Sequence, residues 1–412
     1  MERLIFHVDV NSAFLSWEAA RQVSRGGEDL RLIPSAIGGD RDKRTGVVLA
    51  KSIPAKKRGV KTGEPIAAAL RKCPNLVLAK PDFRLYETNS KAFMDICRSY
   101  APSVEKFSID ECFLDMSGTG HIYPDPVRTA YEIKNRIRDE LGFTVNIGIA
   151  SNKILAKMAS DFEKPDKVHT LFPEELETKF WPLPVGDLFL VGHATAEKLN
   201  KGYIETIGDL AHADLRTVQR LVGVKLGQQL HNYARGVDDS PVLSQPEELK
   251  GYGNSTTLEE DVTTVEEANR ILLALTDSSS ARMRADGAKA YCVAVTMRGS
   301  DFKDRSHQRK LGEATDVTEE IYDIAKRLFA ELWDGRPLRL LGVSLTEITR
   351  EETEQFSLFE DEGKERSRKL DKAMDSIRGK YGMDTIMRAS SIQAGKNVGR
   401  KHKAQIDLLK EK

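Results

Sequence analysis

The chain has 412 residues, more than one ordinary hydrophobic core serves, so several domains are expected. Apolar residues make up 40% and charged residues 31%, a soluble globular profile. Lys+Arg and Asp+Glu both number 63, so net charge alone signals no acidic partner. The distribution says more. Segment 41–61 has eight basic residues and one acid, and segment 282–310 has eight basic residues and three acids. The stretch 311–334 then carries seven acids and two bases. Two basic surfaces on a neutral protein can serve a polyanion, although each run taken alone reads equally well as a solvated face. The four cysteines, Cys73, Cys97, Cys112 and Cys292, fit neither a zinc site nor a small disulfide scaffold, and are expected to be reduced thiols in a reducing cytosol. The N-terminus lacks the apolar core of a signal peptide, and no stretch is long and apolar enough to span a bilayer.

In chain order, residues 4–10 (LIFHVDV) predict a mostly buried strand with Asp9 in it, and 13–24 predict a helix. Residues 31–75 form a basic segment broken by Gly38, Gly39, Pro54, Gly59, Gly63 and Pro74. A helix over 84–100 precedes two short strands within 103–116 (SVEKFSIDECFLDM). A helix over 126–141 ends at Gly142, and 143–150 (FTVNIGIA) alternates as a strand does. With the basic insertion set aside, this is β-α-β-β-α-β, the ferredoxin-like order, in which the first and third strands are central neighbours. Asp9 is then expected beside the turn that carries Asp110 and Glu111. Residues 172–240 predict a helical module. The stretch 240–250 reads as a linker, and strands at 289–297 and 339–347 with helices at 265–285 and 317–333 predict a second α+β unit. Beyond 350 lies a charged tail with an amphipathic helix over 364–381.

Clustered carboxylates repel one another unless cations neutralise them. Magnesium takes oxygen ligands and is commonly shared between one or two carboxylates and substrate phosphates, and two such ions can stabilise both oxygens of a phosphoryl displacement. An Asp-Glu pair at a hairpin turn is by itself ordinary turn chemistry. Asp9 within an apolar strand is harder to set aside, because a buried carboxylate needs partners.

The motifs HVDVNSAFLSWE (7–18) and FSIDECFLDMSG (107–118) resemble those of the Y-family DNA polymerases, the translesion enzymes. The likeness continues through VVLAKSIPAKKRGVKTGEP (47–65), VNIGIASNKILAKMASDFEKPD (145–166), VGHATAEKLNKGYIETIGDLA (191–211), SHQRKLGEATDVTEEI (306–321) and RPLRLLGVSLTEI (336–348). The resemblance implies a multidomain α+β right hand: a ferredoxin-like palm (1–30 and 76–170), small fingers (31–75), a helix-hairpin-helix thumb (171–240), a linker (241–250), a little finger (251–350) and a tail (351–412). It implies error-prone, template-directed DNA synthesis from dNTPs on primer-template DNA, without proofreading, by a monomeric cytoplasmic enzyme.

The site residues follow from the same resemblance. Asp9, Asp110, Glu111 and the carbonyl of Val10 fall on ligands of two Mg²⁺ ions, with Mn²⁺ as a possible substitute. Phe14 falls on the steric gate against a ribose 2′-OH. Ala13, Ser52, Lys56 and Lys164 fall on nucleotide-binding positions. Gly192 and His193 fall in the thumb hairpin, and Arg298, Lys303, Arg305 and Arg309 fall on the little finger's DNA surface. Gln355, Leu358 and Phe359 resemble the peptide by which bacterial polymerases dock on the sliding clamp. Four positions depart from the family pattern. Ile53 replaces a tyrosine, Lys56 an arginine, Ala13 an aromatic residue and Leu190 a glycine. A nucleotidyl cyclase with a similar palm and a decayed DNA-binding relic are the rival readings, and both leave the thumb hairpin or the intact acids unexplained.

Overall fold

The computed structural model describes residues 3–39, 46–245, 248–351, 362–382 and 385–389. They fall into two compact units, one built from residues 1–39 and 47–246 and the other holding residue 247 onward.

The first unit opens with β1 (Ile5–Val10), whose six residues are all buried. Helix α1 (Ala13–Ser24) follows. A small lobe comes next, built from β2 (Ser35–Gly38), β3 (Val48–Lys51), α2 (Ile53–Lys57), α3 (Ile66–Lys72) and β4 (Val77–Ala79). Its strands run in the order β3-β2-β4, and Ala36, Val48, Ala55, Val60, Ile66 and Ala69 give it a core of its own. The lobe thus extends to residue 79, a little beyond the expected 75, because β4 pairs in parallel with β2.

The chain then returns through α4 (Phe83–Arg98), β5 (Ser103–Lys106), β6 (Glu111–Asp115), α5 (Pro126–Leu141), β7 (Val145–Ala150), α6 (Lys153–Ser160) and β8 (Val168–Leu171). The sheet order is β5-β6-β1-β7-β8, with β1 antiparallel to both β6 and β7. That is the ferredoxin-like order, extended by β8, a parallel strand that the sequence pattern did not announce. Local chemistry sets the helix ends. Asp82 and Asp125 cap α4 and α5 by accepting from Leu85 N and Arg128 N, and Gly142 at φ 76° stops α5. Gly148 has a further role. A Cβ there would lie 2.0 Å from the Ala156 carbonyl oxygen and 2.5 Å from Ser160 N, so only glycine lets α6 press this closely onto β7.

Helices α7 (His193–Lys201), α8 (Ile207–His212), α9 (Leu215–Val222) and α10 (Val224–Ala234) close over Leu199, Ile207, Leu210, Val218 and Leu230. The expected linker is not free at its start. Lys153 Nζ reaches the Pro241 carbonyl at 3.3 Å, Ser103 Oγ the Val242 carbonyl at 3.4 Å, and Leu243 N donates to Glu105 at 2.8 Å. Backbone groups at 241–243 therefore bond to β5 and to the start of α6, which a reading of polarity and prolines alone misses.

The second unit contains β9 (Gly251–Val262), α11 (Val265–Ala285), β10 (Lys289–Gly299), β11 (Asp304–Thr315), α12 (Thr318–Leu332), β12 (Leu338–Thr349) and α13 (Glu362–Tyr381). Its antiparallel sheet has the order β11-β10-β12-β9. Val293, Val295, Met297, Leu341, Val343 and Leu345 pack with α11 and α12 into one core. The charged tail helix is not a loose appendage. Asp371, 1% exposed, meets Arg284 at 3.3 Å and also Arg388, while Arg378 pairs with Asp277 at 2.7 Å. Gln355, Leu358 and Phe359 lie outside the described residues. No helix among the described residues is long and apolar enough to cross a membrane. All four cysteines are buried and unbridged.

Candidate active site

Register brings the first acids together. Asp9 on β1 lies directly opposite Glu111 on β6. Directly opposed residues of an antiparallel pair share a face, so the two carboxylates are cross-strand neighbours. Asp110 precedes β6 by one residue, and its carbonyl accepts from Val10 N at 3.0 Å. The turn before it is tight: Phe107 N and Ser108 N both donate to the Glu111 carbonyl, at 3.0 and 3.1 Å. The backbones of all three acids therefore meet at one end of one sheet.

The side chains divide differently. Asp9 pairs with Lys164, Glu111 with Lys157 at 2.8 Å, and Asp110 accepts from Ser108 Oγ at 2.6 Å. Among the described residues, no three acidic, histidine or cysteine side chains close on a single point. Like charges repel, and each carboxylate has settled on its own donor. The expected convergence thus holds for the strands and for the Asp9–Glu111 pair, while the Asp110 side chain stays with Ser108. Asp9 is 7% exposed. Burial pushes its carboxyl up to about 6 against the pull of Lys164, with Glu111 and Asp161 adding to the rise. Burial also opposes the charge on Lys164, but the Asp9 and Asp161 carboxylates outweigh it and hold that pKa above the ordinary lysine value.

Two buried amides deliver Lys164. Asn11 donates to Asn146 Oδ1 at 3.1 Å and accepts from Asp166 N at 2.9 Å. Asn146, fully buried in β7, donates to the carbonyls of Ser160 and Glu163 at 3.1 and 2.7 Å. This ladder holds the loop 160–166 against the strand that carries Asp9. Sequence reasoning missed Asn11, Asn146 and Lys157. The available signals were a polar Asn inside an apolar strand and a lysine one helical turn after Lys153.

Phe14 sits in the first turn of α1 and stacks on Tyr86, with centroids 4.7 Å apart and planes 19° from parallel. Phe83 meets it edge-on at 6.2 Å. The ring is thus braced from behind, as a rigid wall requires. Ala13 beside it is buried. Ser52 is 2% exposed, and its hydroxyl caps α2 through Ala55 N, donates to the Ile33 carbonyl at 2.7 Å and accepts from Ser35 N. That hydroxyl is committed inside the lobe. Lys56 is exposed in the last turn of α2 and free of ion pairs among the described residues, and Ile53 is 49% exposed.

Gly192 caps α7 without a side-chain bond, and His193 is 90% exposed at the first turn. Leu190, two residues earlier, takes the left-handed conformation at φ 72°, which is where the departure from glycine carries strain. In the second unit three of the four expected DNA-contacting cations are already paired. Arg298 meets Asp304 at 2.5 Å, Arg305 meets Asp334 at 2.6 Å, and Arg309 meets Glu331 at 2.8 Å. Arg305 and Arg309 stand opposite the buried Met297 and Val293, hence on the helix-covered side of the edge strand, while Lys303 is exposed without such a partner among the described residues.

A ferredoxin-like sheet presenting acids at the end of its first strand, with a helical module behind it and a second α+β unit after, defines a nucleotidyl-transferring palm and its appendages. The chain belongs to the Y-family of DNA polymerases, and it is a DNA-directed DNA polymerase. The impB/mucB/samB family model matches residues 8–161, that family's C-terminal domain matches 249–358, and a thumb domain described for DNA polymerase-iota matches 186–238. The chain is 44% identical to DNA polymerase IV of Clostridium acetobutylicum over 94% of this chain and 98% of that one. It is 37% identical to DNA polymerase IV 2 of Bacillus subtilis over 95% of each. A solved Y-family DNA polymerase chimera shares the fold with a TM-score of 0.72 at 22% identity, covering 84% of this chain and all of that one.

Proposed function

We propose that the protein carries out error-tolerant translesion DNA synthesis, in which a primer 3′-OH attacks the α-phosphorus of a dNTP and pyrophosphate leaves, with Asp9, Asp110 and Glu111 as the catalytic acids. The observation that carries this reading is the Asp9–Glu111 cross-strand pair with the Asp110 carbonyl bonded to Val10 N. The donor set is all hard oxygen, and the buried Asp9 carboxyl is held off its ordinary pKa, which suits a site made for cations. Asp9, Asp110, Glu111 and the Val10 carbonyl would hold two divalent ions, Mg²⁺ first and Mn²⁺ as substitute, which supply charge neutralisation and activation of the primer hydroxyl.

The chain's own groups do the rest. Lys164 is a compact charge suited to a triphosphate, and Asp161 gives it a second carboxylate to lean on. Lys56, exposed and unpaired among the described residues, is a further donor to phosphate, and Ile53 contributes only an apolar surface. Phe14, backed by Tyr86, excludes a 2′-OH by its rigidity. The unsatisfied backbone N–H groups at the start of α7, beside Gly192 and His193, suit a DNA phosphate. In the second unit Lys303 is ready for phosphate, while Arg298, Arg305 and Arg309 must exchange acids for it. Gln355, Leu358 and Phe359 are assigned to a sliding clamp on their sequence pattern. The three palm acids serve synthesis, and the reading includes no proofreading exonuclease.

Primer extension with single dNTPs, with and without Mg²⁺, tests the reading. The wild type should incorporate the templated nucleotide, and Asp110→Ala should fall by at least about 10³-fold. Equal activity of the two proteins would overturn the assignment.

A further inference from the structure

Lys157 lies on α6 with its side chain 10% exposed, and among the described residues its one carboxylate partner is Glu111 at 2.8 Å. Its ammonium also stands over two aromatic faces, 5.1 Å from the Phe107 centroid and 5.4 Å from that of Phe189. The two rings are themselves 6.1 Å apart at a steep angle of 62°. Phe107 belongs to the turn that carries Asp110 and Glu111, and its N–H donates to the Glu111 carbonyl. Phe189 belongs to the loop that leads through the left-handed Leu190 to Gly192, the N-cap of α7.

A lysine side chain is long and loses considerable rotamer freedom when fixed. Ring faces attract the ammonium without accepting all its protons, so they aim it while leaving its strongest bond to the carboxylate. An ion pair that served only the stability of the sheet would need Glu111 and nothing from the helical module. Here the module supplies a wall of the cage, from the same short loop that leads to the start of α7.

We propose that Lys157 is a positioning residue for the Glu111 carboxylate, and that Phe189 makes the loop ahead of α7 part of that device. Seating of the DNA backbone on this loop would then be felt at a catalytic acid. The inference rests on the polymerase reading above and adds a mechanical link within it.

The test uses the full-length protein in single-turnover primer extension, with DNA affinity measured separately and the lysine ε-methylenes observed by ¹³C NMR. Lys157→Met should slow incorporation at saturating dNTP about tenfold, since displacement of a reacting group is felt steeply. Phe189→Leu should slow it about threefold, the size of one partly exposed cation–π contact. The double variant should be no slower than Lys157→Met alone, and Phe189→Trp should restore the rate. The Lys157 ε-methylene signal, identified by its loss in Lys157→Met, should lie upfield in the wild type and move toward the free-lysine position in Phe189→Leu. Losses that multiply in the double variant overturn the link, as does Phe189→Leu that weakens DNA binding while rate and signal stay unchanged. A wild type that incorporates no templated nucleotide would instead defeat the polymerase reading and is recognised as such.

Discussion

The acids at the end of the palm sheet and the acids packed around α13 are neutralised by different cations. In the palm, Asp9 and Glu111 face lysines, Lys164 and Lys157. In the second unit, Asp277 and Asp371 face arginines, Arg284, Arg378 and Arg388. A guanidinium is a planar fork that binds a carboxylate through several fixed N–H groups and does not give up its proton. An ammonium is a point charge on a flexible stem. The arginine network is suited to permanence, fastening α13 to α11 and α12. The Asp9–Lys164 pair is suited to exchange, because one single-point contact is easily traded for another cation or for a phosphate, whereas two ring faces hold Lys157 on Glu111. Depth does not separate the two sets: the Lys157 side chain is 10% exposed and that of Arg388 17%, although Arg284 at 7% lies deeper than Lys164 at 35%.

The largest expected effect strikes the permanent set. Asp371→Ala would strip Arg284 and Arg388 of a common partner and leave Thr318 N, now bonded to it at 2.8 Å, without an acceptor. Breaking one member of a buried ionic network typically destabilises by about 3–5 kcal/mol. The second unit should melt earlier by calorimetry, as a separate transition, while that of the first unit keeps its midpoint. A loss under about 1 kcal/mol would mean that the network is no more than surface charge pairing.

In the exchangeable set the sign should reverse. Asp9 titrates near 6 in the fold and near 3.8 in a free chain, so the folded state binds the proton more tightly. By linkage this carboxyl lowers stability as pH rises from about 4 to 6, and the deficit is complete above 6. Asp9→Asn removes the buried charge and should raise the stability of the first unit by about 2 kcal/mol at pH 7.5, less than the full shift because Lys164 loses a partner. The gain should fade as pH falls through 6 towards 4, while polymerase activity is lost at every pH. Chemical denaturation in EDTA across that range measures it. A stability gain that does not vary with pH would show that burial, not ionisation, governs the site.

How much of this was legible beforehand follows from where the physics is local. Asp9 in an apolar strand and the β-α-β-β-α-β order are both patterns of period two or 3.6, and they fixed the sheet order and the Asp9–Glu111 pairing. Strands β8, β9 and β11 escaped because VHTL is short and GYGNSTTLEEDV and DRSHQRKLGEAT carry no continuous apolar face. Side-chain commitments were invisible for a different reason. Ser52 looks available until its hydroxyl is found capping α2, and nothing in the sequence announces that Ser108 donates to the Asp110 carboxylate. The Lys157 cage draws on residues 107, 111 and 189, a combination that no local window contains.

The smallest effect separates exchange at the surface from exchange in the palm. Glu331 holds both His307, at 3.1 Å, and Arg309, at 2.8 Å, and all three are close to half exposed. Exposed pairs are worth little, so Glu331→Gln should change stability by no more than about 0.5 kcal/mol. Its carboxylate nonetheless offers those donors the same bonds a phosphate would, and DNA must displace it to reach Arg309. Its removal should therefore tighten DNA binding by about threefold at low salt and steepen the salt dependence, with the gain vanishing as screening grows. Anisotropy titrations over a salt series read this directly. An affinity unchanged at every salt concentration would mean that Arg309 stays with its helix when DNA binds, and that the exchangeable cations of this enzyme are lysines throughout.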